Sequence, residues 1–155
     1  LKIGERAGLI EALTEKMRPV IRFLFPNLPD GHPAGKYIAT NMIANMLGLG
    51  WAATPAGLKA MKELEKVEEE RRKEKVAKRT IHAVSKGTAS NEMCTFLIMN
   101  ISSLQLIPVN IIAYRSQYHS TSPAAVTGPC FAATMVSTLA AVIFCKIMDH
   151  LRNPT

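Results

Sequence analysis

Three long stretches of this chain carry no charged side chain, and that distribution limits its fold more than any other feature. Tyr37–Leu58 and Met93–Tyr114 are 22 residues each, and Ser116–Cys145 is 30, interrupted only by His119. A bilayer core takes about 20 consecutive, mostly apolar residues as a helix. A soluble core helix of that length carries charge on its outer face. The pattern predicts an all-α membrane protein with three intramembrane segments. At 155 residues it is one domain. Three cysteines, Cys94, Cys130 and Cys145, are an odd number and exclude a disulfide framework within the chain.

The N-terminal region is different. Over residues 1–25, Ile3, Ala7, Ile10, Leu13, Met17, Val20 and Leu24 recur every three or four positions, with Lys, Arg and Glu on the other face. This predicts an amphipathic helix lying in the membrane interface, with a kink at Pro19. Charges throughout argue against a signal peptide. The chain begins at Leu1 without Met, so a fragment or trimmed chain is expected. The following FPNLPDGHP reads as a rigid turn.

Residues 35–60 do not read as a simple span. Gly48 and Gly50 interrupt the segment, and Thr54-Pro55 reads as an N-cap followed by Pro at the first helical position. One helix is expected to stop near Met46–Gly50 and another to start near Thr54. That is the pattern of a re-entrant hairpin, the alternative being a single span kinked at glycine. Charge favours the hairpin. A span would divide the 19 basic residues as twelve inside and seven outside, whereas re-entry leaves eighteen inside and Arg115 alone outside.

Residues 61–87 read as a solvated, charged cytoplasmic helix running to Gly87, with i,i+4 pairs such as Glu69–Lys73 and Glu74–Lys78. Interleaved glutamates and the lack of aromatics argue against nucleic acid as a partner. Thr88, Ser90 and Asn91 offer caps for a transmembrane helix at 90–114. A second, at 123–148, is rich in Ala, Gly, Ser and Thr, with a small-residue face at Ala132, Ala133, Ser137, Ala140 and Ala141 suited to close packing.

No catalytic constellation appears. His32, His82, His119 and His150 are scattered, and LGLG lacks the ending of a phosphate loop. The expectation is a protein that is not an enzyme, with no cofactor and no metal. What remains is a polar lining for a solute or gate: Asn41, Asn45, Gly48, Gly50 and Thr54 on the hairpin, opposite Asn100, Ser102, Ser103 and Gln105. Half-helix ends and unwound backbone at the midplane hold solutes in many transporters. The alternative is that these side chains only hydrogen-bond helix to helix.

FPNLPDGHPAGKYIATNMIANMLGLGWAATPAGLKAM and TASNEMCTFLIMNISSLQLIP resemble the spore maturation protein A family, over nearly the whole chain. The resemblance implies an integral protein of the bacterial cytoplasmic membrane with a nucleoside recognition, or gate, domain over residues 1–155 whose N-terminal portion is missing. It implies a part in spore core dehydration. The implied partners are the lipid bilayer and a second gate-domain protein similar to spore maturation protein B, or a second copy. Trp51 departs from the family's usual Asn, and the charged helix is longer than the family's. ANMLGLGWAATP is also similar, more distantly, to the first re-entrant hairpin of concentrative nucleoside transporters. That likeness implies half of an inverted repeat, but Trp51, Ala52 and Ala53 stand where the transporters carry Gln-Thr-Glu. The function implied is a transport-like gate subunit for a small solute or ion. The alternatives are a membrane scaffold recruiting partners through the charged helix, or half of a nucleoside transporter.

Overall fold

The computed structural model describes residues 9–76, 83–102 and 104–152, with side chains placed at 15–73, 83–102 and 104–151. The described residues form helices joined by turns, with no strand among them. Helix α1 (Leu9–Leu24) runs through Pro19 and buries Ile21, Leu24 and the adjoining Phe25, while Val20 and Phe23 stay exposed. The turn after it is held by Arg22, which donates to the Asp30 carboxylate at 2.9 and 2.6 Å. Those hydrogen bonds, and then the positive charge, hold the Asp30 carboxyl below the usual carboxylate range.

Helix α2 (Pro33–Met46) starts on His32, whose Nδ1 accepts from the Ala34 N–H at 3.2 Å, with Pro33 at the first helical position. It ends in a Schellman motif. Gly48 takes a φ of +72°, its N–H donates to the Asn45 carbonyl at 3.0 Å, and the Leu49 N–H donates to the Ala44 carbonyl at 2.8 Å.

Helix α3 (Gly50–Val76) then doubles back along α2. Ala34, Ala39 and Ala44 of α2 and Ala53, Ala56 and Ala60 of α3 are buried, and such small side chains let two helix backbones come close. Toward the base of the hairpin, the Lys59 ammonium lies 5.5 Å from the centre of the Tyr37 ring. The restart comes at Gly50, not at Thr54. The Leu49 carbonyl already accepts from Ala52 and Ala53 at 2.9 and 3.0 Å, and the Thr54 hydroxyl donates back to the Gly50 carbonyl at 3.2 Å.

Two other boundaries differ from the sequence reading. The charged segment is continuous with the second arm of the hairpin, but residues 83–90 are not helical, so the helix does not reach Gly87. The Glu74–Lys78 pair lies outside the described side chains. Residues 90–114 do not form one helix either: α4 (Asn91–Ile101) and α5 (Val109–Gln117) are separate, with an irregular stretch leading into Pro108. Proline has no N–H to continue the ladder and pushes the residue before it, here Ile107, out of the helical region. Among the offered caps, Ser90 serves, its Oγ accepting from the Met93 N–H at 3.3 Å.

A short 3-10 turn (Pro123–Val126) leads into α6 (Thr127–Arg152). Among the described residues this is the one stretch, Pro123–Leu151, long and apolar enough to cross a membrane, and few of its residues are fully buried. Ala141 and Cys145 are buried against the rest, whereas Ala132, Ala133, Ser137 and Ala140 are exposed.

Charged groups gather where the ends of α1, α4 and α6 meet. Asn91 donates to the Asp149 carboxylate at 2.7 Å, and Lys146 reaches the Phe23 carbonyl at the last turn of α1. Arg71 of α3 pairs with Glu92 at 2.8 Å and with Glu68 at 3.4 Å, and donates to the Asn27 carbonyl at 2.5 Å. The other Glu68 oxygen accepts from the Val84 N–H at 2.6 Å. Glu68 is only 2% exposed, so this part of the charged helix is an inner face, not the solvated one its sequence suggests.

Candidate functional site

The tip of the α2–α3 hairpin meets the break between α4 and α5. The Leu106 N–H donates to the Met46 carbonyl at 2.9 Å, tying the break to the last residue of α2. Gly48 lies so close to this stretch that an added Cβ would stand 2.4 Å from the Ile107 carbonyl oxygen and 2.9 Å from Val109 Cγ2. The backbone freed by the break is satisfied from α6, where two threonines one turn apart face it. Thr138 Oγ1 donates to the Ser102 carbonyl, and Thr134 Oγ1 accepts from the Gln105 N–H at 3.3 Å.

Beneath the tip, three amides form a ladder. Asn41 Nδ2 donates to the Ala53 carbonyl at 2.9 Å, across the hairpin. Gly57 makes this possible, since a Cβ there would lie 2.9 Å from the Asn41 nitrogen. Asn45 Nδ2 donates to Asn100 Oδ1 at 2.9 Å and, more weakly, to Asn41 Oδ1 at 3.3 Å. Asn100 Nδ2 donates to the Phe96 carbonyl of its own helix at 3.0 Å.

The ladder separates two spaces. On one side is an open cleft of about 690 Å³, lined by the ladder together with Gly50, Trp51, Ala53, Thr54, Pro55 and Asn110. On the other is an apolar cavity of about 250 Å³ beneath α1, walled by residues such as Met17, Phe23, Met42, Met99 and Val142. Among the described residues, no ionisable side chain lines the cleft. Pro55 cannot donate to the Trp51 carbonyl, so that carbonyl lacks its usual helical partner.

Of the residues expected to line a site, Asn41, Asn45, Gly50, Thr54 and Asn100 border the cleft. Gly48 shapes the tip instead. Two others do not border the cleft: Ser102, whose hydroxyl donates to the Ile98 carbonyl at 2.9 Å, and Gln105. Ser103 lies outside the described residues. Asn110 borders the cleft but was absent from the expected lining, although it is one of the polar residues in the 93–114 stretch. Thr134 and Thr138 gave no signal of their own, because their role depends on where α4 breaks.

Removing Asn100 tests whether the ladder matters to the fold. Asn100→Ala leaves Asn45 without its best acceptor, a loss expected to cost about 1–3 kcal/mol. The expected result is a lower unfolding midpoint in mild detergent, with Ser116→Ala, on exposed α5, unchanged.

No family model matches the chain, and no solved structure matches it. Spore maturation protein A of Bacillus subtilis (strain 168) is 40% identical over 153 residues, covering 99% of this chain and 70% of that protein. With its hairpin motif, its SSLQLIP stretch and that identity over nearly its full length, the chain belongs to the spore maturation protein A family.

Proposed function

We propose that the chain is an integral membrane protein of the bacterial cytoplasmic membrane that acts in spore maturation, as a gate subunit through which a small solute passes. The observation that carries this is the tip-to-tip meeting of two interrupted helices over a row of amides. Irregular backbone at membrane depth is tolerated only where protein buries it or it lines a cavity, and a hairpin tip facing a broken helix does both.

Lengths support a re-entrant hairpin. At 1.5 Å per residue, the 14 residues of α2 rise about 21 Å, short of a core about 30 Å thick. The 11 and 9 residues of α4 and α5, rising about 16 and 14 Å, together match one crossing. Helix α6 is long enough alone. In this arrangement α1 lies in the interface, and the charged part of α3 is cytoplasmic. The domain is one half of a gate. The second half is a protein similar to spore maturation protein B or a second copy, seated on the exposed small-residue face of α6.

The name of the Bacillus relative supports the process, and the cleft supports the passage of a solute. Complementation of a spore former lacking its own copy tests both. Asn45→Ala is expected to reach normal membrane abundance yet yield spores less resistant to heat. Normal spores at normal abundance would leave the amides as structural filler and favour a scaffold.

A further inference from the structure

From the chemistry of the cleft we infer that its solute is an uncharged, polyhydroxylated ring compound of the sugar or cyclitol type, and that ions are excluded. This rests on the reading of the cleft as a solute site. A desolvated charge needs a counter-charge or a full shell of like-oriented dipoles, such as a ring of carbonyls, and this mixed lining offers neither. Asn41, Asn45, Asn100 and Asn110 bring amides, Thr54 a hydroxyl and Trp51 an indole, with no carboxylate, guanidinium or ammonium among the described lining.

Helix dipoles do not substitute for charge here. The negative end of α2 and the positive end of α3 meet across Leu47–Leu49, and those of α4 and α5 meet across the break, so each end is offset by its neighbour.

The free hydrogen-bonding capacity is mixed. Among the described residues Asn45 donates twice, leaving its oxygen free to accept, and Asn100 donates once, leaving one N–H, while the buried Asn41 is committed to the Ala53 carbonyl. The Asn110 side chain makes no hydrogen bond among the described residues and offers both groups. Hydroxyls both donate and accept, so several around a ring rim suit this alternation. Trp51 is 95% exposed and borders the cleft, giving a flat apolar surface. The negative face of an indole attracts the weakly positive C–H face of such a ring.

Trp51 is the chain's single tryptophan, so its emission reports the cleft directly. The chain, reconstituted in lipid nanodiscs, is titrated with D-glucose and myo-inositol, then with glucuronate and protonated glucosamine, which keep the shape and add a charge. Uracil, which has no ring hydroxyls, serves as a flat neutral comparison. The expected result is a saturable emission change with the neutral polyols, and binding of both charged analogues weaker by about tenfold or more, which is about 1.4 kcal/mol. Asn110→Leu, on an exposed side chain, keeps the fold and is expected to weaken polyol binding by a similar factor.

Charged analogues binding as tightly as glucose would overturn the inference, as would a response to uracil alone. Either result leaves the solute site standing. Silence from every compound also overturns it. A single cysteine at Asn110, in a chain whose native cysteines are serine, then separates the two readings. Reaction with a water-borne thiol reagent retains an open cleft, whereas no reaction removes the solute site as well.

Discussion

Gly48→Ala is expected to unseat the hairpin tip. The φ of +72° penalises any side chain, by about 1–2 kcal/mol. The added Cβ would also press on the Ile107 carbonyl from 2.4 Å, and that oxygen belongs to backbone pinned between Leu106 and Pro108. Neither neighbour can turn away as a flexible side chain could. The Met46–Leu106 hydrogen bond must lengthen or break, so the expected total is about 3 kcal/mol or more. Thermal unfolding in detergent checks it, with Gly50→Ala as the comparison. Gly50 is helical, has no positive φ and has nothing within 4 Å of its would-be Cβ, so that variant is expected to match the parent.

Arg71→Met is expected to have the second large effect. It leaves the carboxylates of Glu68 and Glu92 buried together without their shared cation. Breaking a buried pair in this way costs about 3–5 kcal/mol, because the stranded carboxylates have lost both water and their cation, with only the Val84 N–H left to Glu68. The Asn27 carbonyl loses its donor at the same time, which leaves the turn before α2 held by Arg22 and Asp30. Glu68→Gln and Glu92→Gln introduced together with Arg71→Met remove the stranded charges, and this triple variant is expected to regain much of the loss. A triple variant as unstable as the single one would place the effect in packing instead.

The hairpin was legible in the sequence because glycines and an uncharged run act locally. The exact restart was not, since Thr54-Pro55 carries a genuine start signal. Leu49 supplies the first accepting carbonyl several residues earlier, and no local rule ranks the two. The break before Pro108 was concealed by the 22-residue uncharged stretch around it, whose length alone suggests one crossing. Pro108 was the available signal. The role of Arg71 could not be read from its neighbours. Spacing places Glu68 and Arg71 on one helix face, but only the arrival of α4 and the 26–32 turn makes that face an interior one. Asn45 and Asn100 stood out as polar residues in apolar runs, whereas their mutual hydrogen bond spans 55 positions and belongs to the tertiary fold.

Sidedness in the membrane tests the account most directly. Single cysteines replace Lys36, Lys62 and Thr121 in a chain freed of its native cysteines, and intact cells and inverted vesicles are treated with an impermeant thiol reagent. The account predicts that positions 36 and 62, at the base of the hairpin, label from the cytoplasmic side, and that position 121, between α5 and α6, labels from outside. Labelling of positions 36 and 62 from opposite sides would make residues 35–60 a single span and contradict the re-entrant gate.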